Sequence, residues 1–231
     1  MSEFKIVYED EYVIVVDKPS GLLTVATPKK EKWTLSSLLG AYPAHRLDRD
    51  TSGLILFAKT KQGQQFLMDQ FRQHKVKKEY IAFVQGRIKQ RKGLISGYVK
   101  DNPFEAAKYA RSQWTLLEAR NGFSVVRVIP ITGRTNQIRI HFKQIGHPLV
   151  GERRFAFARD YKIRFRRVAL HASDLEFRHP VWLKKMSFHC ELANDMQEFL
   201  MVWESIKLSQ PLKLHKEVLN PAKGGMKFLE K

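Results

Sequence analysis

The stretch His45-Arg46-Leu47-Asp48-Arg49-Asp50-Thr51-Ser52-Gly53 runs directly into an apolar segment at residues 54–58 that is typical of a buried strand. Its last three residues favour a turn, because threonine and serine can bond to their own backbone and glycine allows a sharp bend. The stretch therefore predicts a rigid polar loop that holds the Asp48 carboxylate between two basic residues. Such a carboxylate suits a nucleophile or an electrostatic catalyst that acts on an anionic substrate. The alternative is that Asp48 only caps the turn and pairs with a neighbouring arginine.

The composition indicates a basic, folded protein. The 231 residues include 41 Lys and Arg against 23 Asp and Glu, which gives a formal net charge of +18 and a pI near 10.0. Residues 207–231 hold six Lys and two Glu, a net +4, so that +14 remains on the preceding residues. Such an excess predicts a polyanionic partner and binding that weakens with salt. Nucleic acid is favoured over an acidic membrane surface, because no strongly amphipathic basic helix stands out.

Two absences bear on the location of the protein. No apolar run approaches the roughly 20 residues that a membrane helix needs, and the first five residues lack the pattern of a secretion signal. Cys190 is the only cysteine, so the sequence excludes an intrachain disulfide and a cysteine-based zinc site. We therefore expect a soluble protein of the reducing cytoplasm.

Strand patterns come in runs and hairpins, with few helices between them. We predict strands at residues 5–8, 12–17, 54–58, 79–85, 107–117, 123–131, 168–177 and 185–190, and helices at 60–73, 135–145 and 195–206. Thr60 is the expected cap of the first helix, with Phe66, Leu67 and Phe71 on its buried side. The turn Arg120-Asn121-Gly122 is a strong hairpin signal.

The order of these elements predicts the fold class. Since they show no regular β-α-β alternation, we expect an α+β fold built on a mixed, largely antiparallel β-sheet flanked by a few helices. The expected domains are a catalytic domain at residues 1–206 and a loosely ordered basic extension at residues 207–231.

The segment at residues 132–141 is the expected source of a distant cation for Asp48. Gly133 permits a tight turn, and Arg134 sits where a predicted strand gives way to a helix. An arginine at such a junction can form a fork-shaped pair with a carboxylate, while the helix N-terminus attracts anions. Arg139 and His141 lie further along the predicted helix, where they either meet phosphates or serve only in packing.

Tyr80 follows Lys77-Lys78-Glu79 in a predicted strand. An aromatic ring beside basic residues can stack on a base while the lysines meet phosphate, although a strand tyrosine is more often part of a core. Lys18 lies in the turn sequence Lys18-Pro19-Ser20-Gly21. It is a candidate for catalysis, for a phosphate contact or for a structural role, of which the local sequence favours the last.

The densest positive charge lies at residues 153–167. This segment interleaves the cations Arg153, Arg154, Arg159, Lys162, Arg164, Arg166 and Arg167 with the aromatic residues Phe155, Phe157, Tyr161 and Phe165. Cations mixed with aromatic rings can clamp phosphates and stack on unpaired bases. A solvated charge run is the usual alternative, and the interleaving favours RNA.

Other chemistries lack their motifs in this sequence. Ser52 is not part of a G-x-S-x-G elbow, and His45 with Asp48 has no H-E-x-x-H or comparable ligand set around it. Glycine-rich phosphate loops of the Walker or Rossmann type are absent. We therefore expect neither a metal nor a cofactor.

Taken together, the motifs resemble those of the RluA-type pseudouridine synthases. The string from His45 to Gly53 is similar to the H-R-L-D-x-x-T-S-G signature of that family, and five further motifs occur in family order. These are Lys18-Pro19-Ser20-Gly21, Lys78-Glu79-Tyr80, Gly133-Arg134-Thr135, Gly146-His147-Pro148-Leu149-Val150-Gly151 and Leu170-His171-Ala172. His45 stands where the sister RsuA-type enzymes have glycine, which favours the RluA branch.

The resemblance has two departures and one omission. The family usually has His at the position of Asn136 and Asp at the position of Glu152. We expect these departures to alter local hydrogen bonding. The N-terminal S4-like RNA-binding module of many relatives is not seen in this sequence, so we expect RNA selection to rest on the catalytic domain and its basic attachments.

The resemblance implies a central active-site cleft and a role for several residues in it. Asp48 would be the catalytic aspartate of uridine-to-pseudouridine isomerisation, Arg134 would hold it by a salt bridge, and Tyr80 would pack on the target base. Arg46 would fill the stack after the nucleotide flips out, since an enzyme must extract a base before working on it. Attack by Asp48 at C1′, addition at C6 and assisted elimination all stay open.

The sequence thus predicts a monomeric RNA pseudouridine synthase that acts on uridines in structured ribosomal or transfer RNA. The expected RNA-contacting residues are Lys18, His45, Arg46, Arg139, Arg153, Arg154, Arg164, Arg166 and Arg167. The rival interpretation is a catalytically silent RNA-binding or RNA-chaperone protein of the same fold. Asp48, Arg134 and Tyr80 argue against it, because a silent relative has no need of that trio. A nucleic-acid hydrolase is disfavoured by the lack of metal ligands.

Overall fold

The computed structural model describes residues 4–27, 31, 33–102, 104–156 and 163–207 of the chain. The strands in this part are β1 (Lys5–Glu9), β2 (Val13–Lys18), β3 (Tyr42–Pro43), β4 (Ser52–Ala58), β5 (Lys77–Gln85), β6 (Lys92–Val99), β7 (Lys108–Ala119), β8 (Phe123–Pro130), β9 (Leu170–Arg178) and β10 (Lys185–His189). The helices are α1 (Leu35–Leu39), α2 (Lys61–Arg72), α3 (Gln137–Gln144) and α4 (Asn194–Lys207).

The strands of the described residues join one sheet. The order along its main path is β1-β2-β4-β9-β5-β8-β7-β6, while β10 pairs with β9 and β3 pairs with β4. Every pairing is antiparallel except that of β4 with β9, which is parallel. The predicted α+β fold with a mixed, largely antiparallel sheet is therefore confirmed.

Local sequence signals account for α2. The Thr60 hydroxyl accepts a hydrogen bond from the Gly63 N–H at 3.0 Å, as a helix cap does. Leu67 is fully buried, and Phe66 and Phe71 are partly buried against the same apolar cluster. The predicted cap and the predicted buried side of this helix are both confirmed.

The other helices and strands agree only in part with those predicted from the sequence. The Asn121-Gly122 turn joins β7 to β8 with Gly122 at φ +90°, which confirms the predicted hairpin. The sequence did not predict α1, β3 or β6. In addition, α3 begins at Gln137, two residues later than expected, after Asn136 in a left-handed conformation.

β2 and β4 are buried on both faces of the sheet. Val13 and Val15 belong to an apolar cluster that contains Leu67 of α2, whereas Ile14 belongs to a cluster that contains Phe142 of α3. Because alternate side chains point to opposite faces, a strand covered on both sides has an unbroken apolar sequence. This explains the apolar run that follows the Asp48 loop and places that strand in the interior.

A close approach of two strands brings the Asp48 loop to its position. Gly53 pairs with Ala172 where β4 and β9 run parallel. It has φ +107°, and a Cβ at this position would lie 2.3 Å from the Ala172 carbonyl oxygen. Only glycine fits both the conformation and the spacing. The glycine that ends the loop sequence is therefore required by packing.

The chain divides into two compact units, Met1–Ala193 and Asn194–Lys231. The first holds the sheet with α1, α2 and α3, and the second holds α4, in which Phe199 and Trp203 stack at 5.7 Å. The expected boundary at residue 206 stays a prediction, and the basic extension lies, from residue 208 on, outside the described residues. None of the helices described here combines the length and the apolar character that crossing a bilayer requires.

Alanine in place of Gly53 should lower the free energy of unfolding by at least about 2 kcal/mol, because its Cβ would meet the backbone of Ala172 and φ would remain strained. Urea denaturation would measure the change. Gly97→Ala in β6 is the matched control, since its Cβ would lie 3.6 Å from the nearest side-chain atom. We expect that control to change stability by less than about 0.5 kcal/mol. Equal stability of the two variants would contradict the close approach.

Candidate active site

A cleft of about 470 Å³ opens beside the Asp48 loop. Its walls come from that loop, the end of α2, β5 and the segment from the end of β8 into α3. The lining residues are His45, Arg46, Leu47, Asp48, Thr51, Phe71, Arg72, His74, Lys78, Tyr80, Pro130, Thr132, Gly133, Arg134, Thr135, Asn136, Gln137, Ile138, Arg139 and Leu170. The cleft therefore brings together Asp48, Tyr80 and Arg134, which lie far apart in the sequence.

Backbone hydrogen bonds fix the loop on both sides of Asp48. The Thr24 hydroxyl donates to the Leu47 carbonyl at 2.9 Å, and the Leu47 N–H donates back to that hydroxyl at 3.2 Å. On the other side, the Gly21 N–H donates to the Arg49 carbonyl at 2.8 Å. The main chain that carries the carboxylate is thus held at the residue before it and at the residue after it.

Lys18 is fully buried and holds the same loop. Its ammonium donates to the carbonyl oxygens of Pro19 at 2.8 Å, Leu22 at 2.8 Å and Arg49 at 3.1 Å. These bonds use all three of its N–H donors. The predicted RNA contact of Lys18 is therefore wrong, and its role is structural. Burial, together with the nearby charge of Arg167, lowers the pKa of Lys18 to about 7.

The Asp48 carboxylate lies in the cleft with 24% of its side chain exposed. Its Oδ2 is 3.7 Å from Nη1 of Arg139. Burial raises the pKa of Asp48, Arg139 and Arg46 act to lower it, and Asp101 acts to raise it. A carboxylate that is partly removed from water and surrounded by charged groups is typical of functional sites.

Arg134 lines the cleft but does not pair with Asp48. Among the described residues, the guanidinium within 4.0 Å of that carboxylate belongs to Arg139. The exposed Arg134 instead donates from Nε to the Tyr109 carbonyl at 3.4 Å. The predicted salt bridge from Arg134 is therefore wrong. Because α3 begins at Gln137, Arg134 stays in the preceding loop, and the arginine inside the helix reaches Asp48.

Arg139 is 9% exposed and is occupied by protein groups. Nε and Nη2 donate to the two carboxylate oxygens of Glu152 at 2.7 and 2.8 Å. Nη1 donates to Oδ1 of Asn136 at 2.6 Å, and the ring of Phe155 lies 5.1 Å from the guanidinium carbon. Since Arg139 nevertheless lines the cleft, its RNA contact stays a prediction. Both departures from the family pattern, Asn136 and Glu152, contact this one guanidinium.

Tyr80 belongs to both the core and the cleft. It is 9% exposed and packs in the apolar cluster that contains Val128 and Phe142, while it also lines the cleft. Burial and the charge of Asp48 raise the pKa of its phenol, which therefore stays neutral. The core interpretation of Tyr80 is therefore confirmed, while its packing on a target base stays a prediction.

His45 and Arg46 differ in what they offer to a ligand. Nε2 of His45 accepts a hydrogen bond from the Leu56 N–H at 3.1 Å, and its ring stacks on Phe71 at 4.5 Å. Burial, followed by the charge of Lys78, lowers the pKa of His45 to about 3, so the ring is neutral. Arg46 is exposed at the cleft. RNA contacts by both residues stay predictions. Of the two, Arg46 carries a positive charge and His45 does not.

The basic segment at residues 153–167 is divided in the structure. Arg153, Arg164 and Arg166 are exposed, and the exposed Arg154 pairs with Asp101 at 3.1 Å. RNA contacts by these four arginines stay predictions. Residues 157–162, which include the predicted cations Arg159 and Lys162, lie outside the described residues.

Arg167 has a structural role that its sequence context did not indicate. It is 7% exposed and donates to the carbonyls of Asp50, Val168 and Leu170 at 3.0–3.2 Å. It also donates to the Ser52 hydroxyl at 3.1 Å. Because its guanidinium is buried against the Asp48 loop and β9, the predicted RNA contact of Arg167 is wrong.

The sequence did not single out Arg72 or His74 as cleft residues, and it considered Lys78 only as a phosphate contact beside Tyr80. A signal for Lys78 existed, because it lies two positions before Tyr80 in β5 and alternate strand residues share a face. Its Nζ lies 5.5 Å from the Phe71 ring centre, and burial lowers its pKa. Among the described side chains that line the cleft, Asp48 is the single carboxylate. The cations among them are Arg46, Arg72, Lys78, Arg134 and Arg139.

The chain is similar to proteins of one known family. The model of the RNA pseudouridylate synthase family matches residues 12–144. The dual-specificity RNA pseudouridine synthase RluA of Vibrio parahaemolyticus is 35% identical over 219 residues, which cover 84% of this chain and 86% of that protein. The ribosomal large subunit pseudouridine synthase D of Nitrosomonas europaea is 32% identical over an alignment of 238 residues. That alignment covers 90% of this chain and 68% of the relative.

A solved structure shows the same fold. The human RNA pseudouridylate synthase domain containing 1 matches with a TM-score of 0.69 over 88% of this chain and 95% of that one, at 23% identity. The sheet, the cleft and these relatives define an isomerase, an RNA pseudouridine synthase. Within that class, the chain belongs to the RluA-type family. The relatives are named as enzymes, which favours this interpretation over a silent RNA-binding protein.

Arg139→Gln should lower the free energy of unfolding by about 3 kcal/mol or more, because it leaves the fully buried Glu152 carboxylate without its partner. Arg134→Gln should change it by less than about 0.5 kcal/mol, because that side chain is exposed. Urea denaturation measures both variants. The double variant Arg139→Gln, Glu152→Gln should recover part of the loss, and a larger effect at Arg134 would contradict the assignment.

Proposed function

We propose that the chain isomerises specific uridines in structured ribosomal or transfer RNA, with Asp48 as the carboxylate that reacts with the nucleoside. The observation that carries this proposal is the position of Asp48. It is the one carboxylate among the described side chains that line the cleft, and it is partly exposed there beside Tyr80. In its ionised form, a carboxylate in such a place can act as a nucleophile without an activating base.

The surrounding residues take distinct parts in the proposal. Tyr80, which is neutral and held by the core, packs on the flipped base. Arg46, exposed at the cleft, fills the space that the nucleotide leaves in the RNA stack. Arg139, rather than Arg134, supplies the positive charge next to Asp48.

The reaction balances within the nucleoside. The bond between N1 and C1′ breaks, the detached uracil turns, and a bond forms between C5 and C1′. The proton on C5 is lost and N1 gains one, so no electrons pass to an outside partner. The residues of the cleft need only hold the base, stabilise charge and move protons.

Ribosomal or transfer RNA is the proposed substrate class. One relative is named for the ribosomal large subunit and another for dual specificity. The net charge of +18 and the cations of the cleft suit a polyanion. A monomeric state and a cytoplasmic location stay predictions from the sequence.

Asp48→Asn should abolish pseudouridine formation and leave RNA affinity nearly unchanged, because it removes the charge and keeps the shape. Pseudouridine would be mapped across total RNA from cells that lack the gene and carry either the wild type or the variant. Asp50→Asn, an exposed carboxylate two residues away that does not line the cleft, is the matched control and should retain activity. Substantial turnover by Asp48→Asn would refute the proposed role.

Replacement of Arg153, Arg164 and Arg166 by glutamine should weaken RNA binding and flatten its salt dependence. For every phosphate that the protein no longer neutralises, the slope of log K against log salt becomes shallower by roughly 0.7 to 0.9. Filter binding at several salt concentrations would measure the slope. The matched control replaces the exposed Lys89, Arg91 and Lys92 by glutamine. It removes the same three positive charges from a different part of the surface. Equal slopes for the two triple variants would show that the segment at residues 153–167 makes no special contact with RNA.

A further inference from the structure

Arg139 contacts two carboxylates with unequal geometry. It binds Glu152 through hydrogen bonds of 2.7 and 2.8 Å, whereas its Nη1 lies 3.7 Å from Oδ2 of Asp48. The second distance is within the range of an ion pair but too long for a hydrogen bond. Nη1 also donates to Oδ1 of Asn136 at 2.6 Å. Nη1 therefore directs one of its two N–H groups to Asn136.

Glu152 is anchored independently of Arg139. Its side chain is fully buried, and its Oε1 accepts hydrogen bonds from the N–H groups of Arg154 at 2.8 Å and Phe155 at 3.2 Å. The preceding Gly151 has φ +79° and lies so close to the backbone of Arg167 that a Cβ would be 1.8 Å from its carbonyl oxygen. Because main-chain hydrogen bonds hold the buried Glu152 carboxylate, it can set the position of the guanidinium.

Asn136 is anchored in a similar way. Its backbone is left-handed at φ +52°, and its Nδ2 donates to Oδ1 of Asp101 at 2.5 Å. Asp101 in turn pairs with Arg154 at 3.1 Å. Both partners of Arg139 are therefore held by contacts that do not involve Asp48.

We infer that Glu152 and Asn136 are positioning residues that hold the Arg139 guanidinium back from Asp48 and thereby keep this carboxylate reactive. The inference rests on the proposed function of Asp48. A charge-assisted hydrogen bond of ordinary length would occupy a carboxylate oxygen and stabilise its charged form. At 3.7 Å, Arg139 supplies positive charge without that bond.

A purely structural role for Glu152 leads to a different expectation. Variants would then be less stable, while the pH dependence of the remaining activity would stay the same. The positioning role instead changes how Asp48 titrates. The charged groups around Asp48 are Arg139 from α3, Arg46 from its own loop, Lys18 from β2 and Asp101 after β6, and Tyr80 of β5 also faces it. A substitution at Glu152 leaves the other groups in place.

Single-turnover rates test the inference. Tritium release from RNA labelled at C5 of uracil would be measured from about pH 4 to about pH 9, because the rate falls as the essential carboxylate is protonated. Burial raises the pKa of Asp48 in the wild type. Glu152→Gln removes a negative charge and lets Arg139 approach Asp48. It should therefore move the acid limb of the profile by about one unit to lower pH and reduce the plateau rate about tenfold.

Three further variants make the result specific. Glu152→Asp keeps the charge and should keep the acid limb closer to that of the wild type. Glu176→Gln removes a carboxylate that pairs with Lys185 at 2.7 Å, away from the cleft, and should leave the profile unchanged. Asn136→Gly tolerates the left-handed backbone and removes the acceptor of Nη1, so it should shift the limb in the same direction as Glu152→Gln. Asn136→Gly also tests the inference if Glu152→Gln does not fold.

The outcomes separate the inference from the proposed function. The inference would be overturned if Asn136→Gly had the same acid limb as the wild type, and if Glu152→Gln, provided that it folds, had it too. That outcome would leave the proposed function intact. A wild-type protein that releases no tritium from ribosomal and transfer RNA transcripts would overturn the proposed function itself.

Discussion

The burial of charge at the base of the cleft constrains the rest of the site. A carboxylate that is removed from water needs positive charge nearby, and most of the Asp48 side chain is covered. Arg139 supplies that charge but is itself buried, so it needs a partner in turn, and Glu152 provides it at 2.7 and 2.8 Å. The three groups form a chain of alternating charge. Asp48 is the least tightly held of them and the most exposed, which leaves it available to a substrate.

The position of Asp48 within that chain depends on contacts to the main chain of its loop from β2 and from the segment that leads into β9. From β2, Lys18 donates to the Arg49 carbonyl. From the segment before β9, Arg167 donates to the Asp50 carbonyl at 3.1 Å. Gly53 then lets β4 approach β9 closely at the end of the loop. Since both sides of the loop are tied to the sheet, the carboxylate keeps its place relative to the residues on α3.

The sequence predicted the elements whose signals are local. The Thr60 cap and the Asn121-Gly122 turn each act within a few residues, and both were predictable for that reason. β6 was missed because Gly93 and Gly97 interrupt its apolar pattern. Tertiary packing requires glycine at position 93, since a Cβ there would lie 2.7 Å from the ring of Trp114. The Asp48 cleft was predictable from several motifs in order, but the choice of Arg139 over Arg134 depended on where α3 begins.

The basic residues show a second limit of local sequence, and it bears on how the site works. Lys18, Arg139 and Arg167 are buried and donate to carbonyl or carboxylate oxygens, whereas Arg46 and Arg134 are exposed along the cleft. The net charge of the sequence does not distinguish the buried basic residues from the exposed ones. Salt, however, weakens mainly those contacts that release counterions from RNA, and it screens buried pairs much less. RNA affinity and the geometry around Asp48 therefore respond differently to ionic strength. The exposed cations of the cleft can therefore vary without disturbing the buried charges that hold Asp48 in place.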